Sequence, residues 1–393
     1  MIDATQSTIL VVTPIGLEPL AAAEIRAIAP RDAKIRLIRG GVELAADDAL
    51  LLLLNRHLRT ATRVLLRIAD FRASAFSELH KRAGRVAWER VLRPGEPVVI
   101  RATAHRSRLY HTGGIAERVL RGITERLGGA SPLHPERELD REGAPSDAPP
   151  PQLIVVRIVD DLCTISVDTS GDPLHFRGYR LATAKAPLRP TLAAGLLLAA
   201  EWDPREPLLD PMCGAGTIAI EAALLAAGRP SVAADRPLAC ERWPTPPAPS
   251  RLTICPKDHL TDPAGPTIFA RDHNPGAIKA SAANLARAGV EAWISLALGE
   301  AAALTPPAPS GLILTNPPYG LRVGGGRDGA RKAFAALGAA LRQRFCGPGL
   351  DWRVALLAPD PALAAATGLT LAPRLTLQHG GLTLQLYAGQ LRG

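Results

Sequence analysis

The segment Asp210-Pro211-Met212-Cys213-Gly214-Ala215-Gly216-Thr217 constrains this chain more than any other, because it joins a short apolar strand, Pro207–Asp210, to an apolar helix, Ile218–Ala227. A glycine-bearing turn between strand and helix is where open parallel sheets take up ligands, beyond the carboxyl ends of their strands. From about Lys185 onward the pattern around this turn alternates. Helix Thr191–Ala200 precedes it, and strand Thr267–Ala270, helix Pro275–Ala288, strands Trp293–Ala297 and Gly311–Leu314, helix Arg331–Phe345 and strand Trp352–Leu357 follow. Strands separated by helical stretches predict a parallel sheet with crossover helices, hence a Rossmann-like, doubly wound α/β domain. The closing run LTLQHGGLTLQLYAG alternates polar and apolar residues about Gly380-Gly381, the pattern of a β-hairpin. A Pro-rich insertion, Arg236–Pro263, interrupts the series.

The first half is α+β. Strands at Thr8–Thr13, Ile35–Ile38, Gly41–Leu44, Arg63–Ala69 and Pro97–Ala102 mix with helices at Leu17–Ile28, Asp47–Leu54, Ala75–Leu92 and Ile115–Leu127. A Pro- and acid-rich loop over Pro132–Gln152 separates these from strands Leu153–Val159 and Leu162–Asp168. The basic charge lies in this half: between Leu50 and Arg126 there are 16 Lys/Arg against 6 Asp/Glu, which accounts for all of the formal net charge of +9. Arginine concentrated in one region suits a polyanion, since neutralising phosphates releases counterions. A solvated arginine-rich surface in a chain rich in Ala, Gly, Pro and Arg is the alternative. The five cysteines, Cys163, Cys213, Cys240, Cys255 and Cys346, are widely separated, so neither a disulfide framework nor a metal site is expected, and a reducing cytoplasm fits. The opening MIDATQSTILVV lacks a signal-peptide pattern and the apolar run Ala49–Leu54 is too short to span a bilayer, so no membrane partner is expected.

Chemistry-bearing residues gather at predicted strand ends. Gly214 and Gly216 allow close backbone approach, and the helix beginning near Thr217 offers free N–H groups to a carboxylate such as that of methionine; a purely structural glycine turn remains open. Asp272 follows an apolar strand and precedes Asn274-Pro275, where a carboxylate accepts hydrogen bonds from both ribose hydroxyls of an adenosine or caps the next helix. Glu300, after the following strand, is a partner for the adenine or a surface residue. Asn316-Pro317-Pro318-Tyr319 follows strand Gly311–Leu314; two prolines stiffen the backbone and remove two donors, leaving the Asn316 oxygen and the Pro317 carbonyl as acceptors for an amino group. With Tyr319 stacked on a base, such a site works by positioning the amine lone pair toward a sulfonium methyl group; a rigid Asn-Pro-Pro turn with a packed tyrosine is the alternative.

At these residues the sequence resembles the class I, amino-methylating methyltransferases, and more narrowly the RNA guanine methyltransferases that carry a THUMP domain. The narrower likeness rests on Thr169–Arg180, Ala186-Pro187-Leu188 with Thr191–Ala194, DPMCGAGTIAIEAA, and NPPYG with Arg322. In the first half it rests on Gly16-Leu17-Glu18, Ala23-Glu24-Ile25, Trp88-Glu89 and SRLYHTGGIAERV. The chain departs from the family where Pro190, Ala215 and Leu321 stand. The resemblance implies a ferredoxin-like unit over 1–55, a THUMP RNA-binding domain over 56–170, a connector over 171–190 and a methyltransferase domain over 191–393. It implies S-adenosylmethionine as cofactor, held by Asp210, Pro211, Met212, Cys213, Gly214, Gly216, Thr217, Asp272 and Glu300, with Asn316, Pro317, Pro318 and Tyr319 catalytic. RNA is the implied partner, contacted by Arg101, Arg106, Arg108 and Lys185, and the protein is expected to act as a cytoplasmic monomer without a metal. The implied reaction is methylation of a guanine N2 in large-subunit ribosomal RNA. A transfer RNA guanine, an adenine amine in RNA or DNA, and a non-catalytic RNA-binding assembly factor stay open.

Overall fold

The computed structural model describes residues 7–129, 131–134, 150–180, 188–248, 267–320 and 326–392. The chain divides into two units, the first made of Met1–Thr13, Ala22–Leu174 and Val232–Ile254, the second of Pro14–Ala21, His175–Ser231 and Cys255–Gly393.

In the first unit, β1 (Ser7–Val12), β2 (Ile35–Ile38), β3 (Gly41–Ala46), β4 (Arg63–Arg72), β5 (Val98–His105), β6 (Gln152–Val159) and β7 (Leu162–Asp168) form one sheet in the order β2-β3-β1-β4-β7-β6-β5. All its pairings are antiparallel except β5 with β6. The helices of this part of the chain are α1 (Glu18–Ile28), α2 (Asp48–His57), α3 (Phe76–Ala83) and α4 (Thr112–Leu127). Asp47 starts α2 by accepting the Leu50 N–H at 2.8 Å, and Gly128, at φ 72°, ends α4. The helix expected over Ala75–Leu92 stops at Ala83. Gly84 caps it, and the buried Trp88 indole N–H donates to the freed Ala83 carbonyl at 2.8 Å, so the chain turns into a short 3₁₀ segment, Trp88–Arg90. The later stretch Val232–Trp243 also belongs to this unit, where the Trp243 indole donates to Gln152 at 2.8 Å.

In the second unit, β8 (Leu208–Asp210), β9 (Ile268–Asp272), β10 (Ile294–Leu298), β11 (Ser310–Thr315), β12 (Asp351–Ala358), β13 (Ala372–His379) and β14 (Leu382–Gln390) take the order β10-β9-β8-β11-β12-β14-β13. The first five of that order are parallel, and β14 and β13 form the antiparallel edge. The helices are α5 (Pro190–Ala199), α6 (Thr217–Ala226), α7 (Pro275–Ala288), α8 (Gly326–Arg344) and α9 (Pro361–Ala366). The sequence pattern leaves α9 unassigned, because its six residues show no full helical period. The middle of β11, Leu312–Leu314, is apolar because both faces are covered: Leu312 and Leu314 join one core with α5 and α6, while Ile313 joins another with Phe334, Leu337 and Leu341 of α8. Each such side chain contributes roughly 1.5–3 kcal/mol by burial. The expected doubly wound sheet with an α+β region before it is the fold observed.

One buried ion pair fastens the first sheet. Arg63 on β4 donates to Asp168 at the end of β7 (2.5 Å) and to the Gly171 carbonyl (2.5 Å), and both side chains are almost fully buried. Burial pushes the Asp168 carboxyl up and the Arg63 charge opposes that. Arg63→Leu strands a buried carboxylate and is expected to destabilise by about 3–5 kcal/mol in urea unfolding, with Asp168→Asn added to it restoring much of the loss. Equal stability of Arg63→Leu and wild type would contradict this.

Candidate active site

Four neighbouring parallel strands bring the predicted residues to one edge of the second sheet. Asp210 ends β8, Asp272 ends β9, Glu300 lies just past the end of β10, and Asn316 follows Thr315 at the end of β11. Strand order reverses between β8 and β11, so the crevice beyond these ends lies at the topological switch point. At about 4.8 Å per strand, the edge from Asn316 to Glu300 spans roughly 14 Å, enough for an extended nucleoside with an amino-acid tail.

The turn after β8 is held from three sides. Asp272 accepts the Gly214 N–H at 2.9 Å and the Asn274 N–H at 2.8 Å, and its own carbonyl accepts the Gly299 N–H at 2.9 Å. The cap of α7 is Asn274, whose side chain accepts the Gly276 N–H at 2.8 Å, so Asp272 is not the helix cap. From α7, Ser281 donates to the Gly214 carbonyl at 2.7 Å and Asn284 to the Ala215 carbonyl at 3.1 Å. Across the switch point, Thr315 donates to Asp210 at 2.9 Å, and the Met212 N–H reaches the same oxygen at 3.3 Å. Thr315, Ser281 and Asn284 were not singled out from the sequence; their signal is polar residues at positions that the strand and helix patterns assign to the core.

The two glycines serve different ends. Gly214 has φ 55°, and a Cβ there would meet nothing within 4 Å, so this is where the backbone stands open to a ligand. Gly216, at φ 79°, is packed under α7: a Cβ would come within 3.1 Å of Ser281 Oγ and 3.3 Å of Leu285. Cys213 points into the core, its thiol 3.9 Å from Ser281, and Pro211 and Thr217 are buried, whereas Met212 is half-buried. Glu300 is exposed. The open backbone at Gly214, the helix start at Thr217 and the acidic strand ends of Asp210 and Asp272 fit a ligand that carries a cationic amino-acid end and a ribose.

Beyond β11, Pro317 is buried, Pro318 exposed, and Asn316 and Tyr319 half-buried. The Tyr319 ring packs against both cores of the sheet and its hydroxyl donates to the Asn316 side-chain oxygen. Burial pushes the Tyr319 phenol up, so it stays a donor. The Asn316 oxygen has a second lone pair, with room in its chemistry for a further N–H donor.

The arginines predicted for RNA lie in the first unit. Arg101 is half-buried on β5, and Arg106, at φ 46°, pairs with Asp160 at 2.8 Å. Arg108 lines a cleft of about 510 Å³ together with Arg72, Lys81, Arg82 and Arg85, none of which was singled out from the sequence. The signal was the spacing Lys81, Arg82, Arg85, which puts cations on one turn of chain. Lys185 lies outside the described residues. Among the described residues no group of three or more His, Cys, Asp or Glu side chains could hold a metal, and no helix is long and apolar enough to cross a membrane.

A family model described as "RMKL-like, methyltransferase domain" matches residues 177–385, and one described as "RlmL ferredoxin-like domain" matches residues 8–65. The ribosomal RNA large subunit methyltransferase K/L of Syntrophotalea carbinolica is 32% identical over 387 residues, covering 95% of this chain. The chain spans about half the length of that relative, 52% of it. A possible methylase from Clostridium difficile 630 superposes with a TM-score of 0.79 at 29% identity, covering 99% of this chain and 98% of that one. SMU.472, crystallised with SAH, shares the fold at a TM-score of 0.78 and 22% identity, covering 100% of this chain and 99% of that one.

Burial raises the Asp210 carboxyl from 3.8 to about 7; the bonds from Thr315 and Met212 oppose this and the nearby Asp272 charge adds to it. Between those values the folded protein holds a proton that the unfolded chain releases. The stability this group contributes is therefore fully present below 3.8 and is lost as pH rises through about 7. Without ligand, the melting temperature of wild type relative to Asp210→Asn is expected to fall between about pH 4 and about pH 7 and to level off above that. Parallel profiles for the two proteins would show that Asp210 does not titrate in this range.

Proposed function

We infer that this chain, which belongs to the RMKL-like methyltransferase family, methylates an exocyclic amine of a base in RNA, and specifically the N2 of a guanine in large-subunit ribosomal RNA. Its cofactor is S-adenosylmethionine, which when bound supplies a methyl group activated on a sulfonium. The observation that carries the reading is the adjacency of β11, which Asn316-Pro317-Pro318-Tyr319 follows, to β8, which the glycine turn follows, with Thr315 bonded to Asp210 between them. An amine acceptor thus stands one strand away from the place where the backbone opens to a ligand. The name of the Syntrophotalea relative, a ribosomal RNA large subunit methyltransferase, supports the choice of RNA.

In this reading Asp210, Thr217 and the Met212–Gly214 backbone receive the amino-acid end of the cofactor, Asp272 receives the ribose, and Glu300 faces the adenine side. Asn316 Oδ1 and the Pro317 carbonyl accept the two N–H bonds of the guanine amine and so aim its lone pair. An amine conjugated to a purine is a poor nucleophile, and the protein's part is to hold it in line and to exclude water rather than to take its proton early. The Tyr319 ring offers a face for the base once the hydroxyl leaves Asn316. The base must leave its stack to reach this edge, so an unpaired guanine reacts faster than a paired one. The region over 56–170 acts as the THUMP RNA-binding domain and 1–55 as the ferredoxin-like unit, joined by the 171–190 connector to the catalytic domain over 191–393. A cytoplasmic setting follows from a ribosomal substrate.

Asn316→Ala is expected to bind the cofactor as wild type does yet to transfer methyl to ribosomal RNA about a hundredfold more slowly, the scale of removing one positioned hydrogen-bonding group. Single-turnover transfer of labelled methyl, with cofactor affinity measured in parallel, checks this. A wild-type rate would remove the amine site from these residues.

A further inference from the structure

We propose that the cleft in the first unit between the end of β4, α3 and the loop after β5 holds the backbone of a single-stranded stretch of the RNA substrate, with one of its bases stacked on Tyr110. The proposal rests on the reading of RNA as substrate and adds where, and in what form, the strand is gripped.

Arg72, Lys81, Arg82, Arg85 and Arg108 bring five positive charges to the cleft, against the carboxylates of Glu78 and Asp161. Glu78 is turned onto its own loop, accepting the Ser74 N–H at 2.9 Å and the Ser74 hydroxyl at 3.2 Å, whereas Asp161 reaches across to the loop after β5, where it accepts the Arg108 N–H at 2.8 Å and stands 3.8 Å from the Arg108 guanidinium. Lys81 and Arg85 have no ion-pair partner among the described residues. A surplus of three positive charges facing one concavity focuses potential on an anion. At about 510 Å³ the cleft is far larger than a bare phosphate and falls in the range of pockets that take a nucleotide-sized ligand.

The loop after β5, which brings Arg108 to the cleft, points to an unstacked base. Tyr110 follows Arg108 by two residues and is 80% exposed, a large ring left out of every core. An exposed aromatic beside cations is the usual platform for single strands, because every base has a face to stack, whereas a duplex hides those faces and shows a convex array of phosphates. The loop that carries these groups is held rigid. Arg106 sits at φ 46° and Asp160 and Asp161 at φ 50° and 60°, and the two turns are stitched by the Arg106–Asp160 pair at 2.8 Å and by the Asp161 N–H donating to Ser107 Oγ at 3.2 Å. Arg106 and Arg108 both pair with carboxylates of the β6–β7 turn, Arg106 at 2.8 Å and Arg108 more loosely at 3.8 Å, so the cations that carry the proposal are Lys81 and Arg85, with Arg72, Arg82 and Arg108 beside them.

The test uses the full chain with a short single-stranded RNA, a duplex of the same sequence, and inorganic phosphate as competitor. Wild type is expected to bind the single strand more tightly than the duplex. The double charge reversal Lys81→Glu with Arg85→Glu should weaken binding at least tenfold and lower the salt slope by about 0.7 for each phosphate that is no longer neutralised. Tyr110→Ala should weaken single-strand binding by about 5- to 150-fold at unchanged slope. In methyl transfer, the reversal should raise KM while kcat and cofactor affinity stay at wild-type values. Equal affinity for duplex, an inert Tyr110→Ala, ready displacement by inorganic phosphate, or an unchanged KM in the reversal would each overturn the proposal. In those cases methylation of RNA by wild type still stands as a separate result. If wild type methylates no RNA, the substrate reading itself fails and the proposal with it.

Discussion

The carboxylate of Asp272 is the fastening on which the candidate active site depends. By accepting the N–H groups of Gly214 and Asn274 it ties the glycine turn after β8 to the start of α7, and its backbone carbonyl takes in the chain after β10 through Gly299. Three strand ends are thereby set relative to one another by groups within one residue. The fourth, β11, is joined through Thr315 to Asp210. Hydrogen bonds to a carboxylate are worth about 1.5–3 kcal/mol each, and removing this one frees two backbone donors at once. The same carboxylate that is proposed to meet ribose is thus also part of the scaffold, and a loss of ligand affinity on changing it reports both roles.

Electrostatics in the second unit follow from burial. Asp210 and Asp272 are both nearly out of solvent and near each other, which is why Asp210 holds a proton up to about pH 7. A cationic ligand end placed there would favour the ionised form, so ligand uptake and proton release are linked. Elsewhere in the unit Glu221 on α6 is fully buried with Arg177 at 3.5 Å and the Tyr179 hydroxyl at 2.9 Å. That network pins the motif HFRGYR to the helix that starts at Thr217, giving a physical reason for a glutamate in the run GTIAIEAA.

Much of the candidate site was legible because its parts are local in sequence. DPMCGAGT and NPPYG each carry a strand end and the turn after it, and the strict apolar content of Leu312–Leu314 announces a strand covered on both faces. What stayed hidden depends on distant groups. That Gly216 serves packing against Ser281 and Leu285 whereas Gly214 faces open space needs the position of α7, not the glycine pattern. The end of α3 depends on an indole five residues on. The basic cleft joins residues from β4, α3, the loop after β5 and the β6–β7 turn, so no single window of sequence contains it. Counting arginines marks the stretch of chain that holds this cleft, but the pairing of Arg106 with Asp160 shows only in three dimensions.

The reading of the second unit depends on the backbone opening at Gly214 to receive S-adenosylmethionine. Calorimetric titration of the full chain with that cofactor tests this most directly, comparing wild type with Gly214→Val. Saturable binding is predicted for wild type and its loss for the variant, whose melting temperature should fall only by the strain of a side chain at φ 55°, about 1–2 kcal/mol in stability. Undiminished binding by a folded Gly214→Val protein, or no heat of binding in wild type, would contradict it.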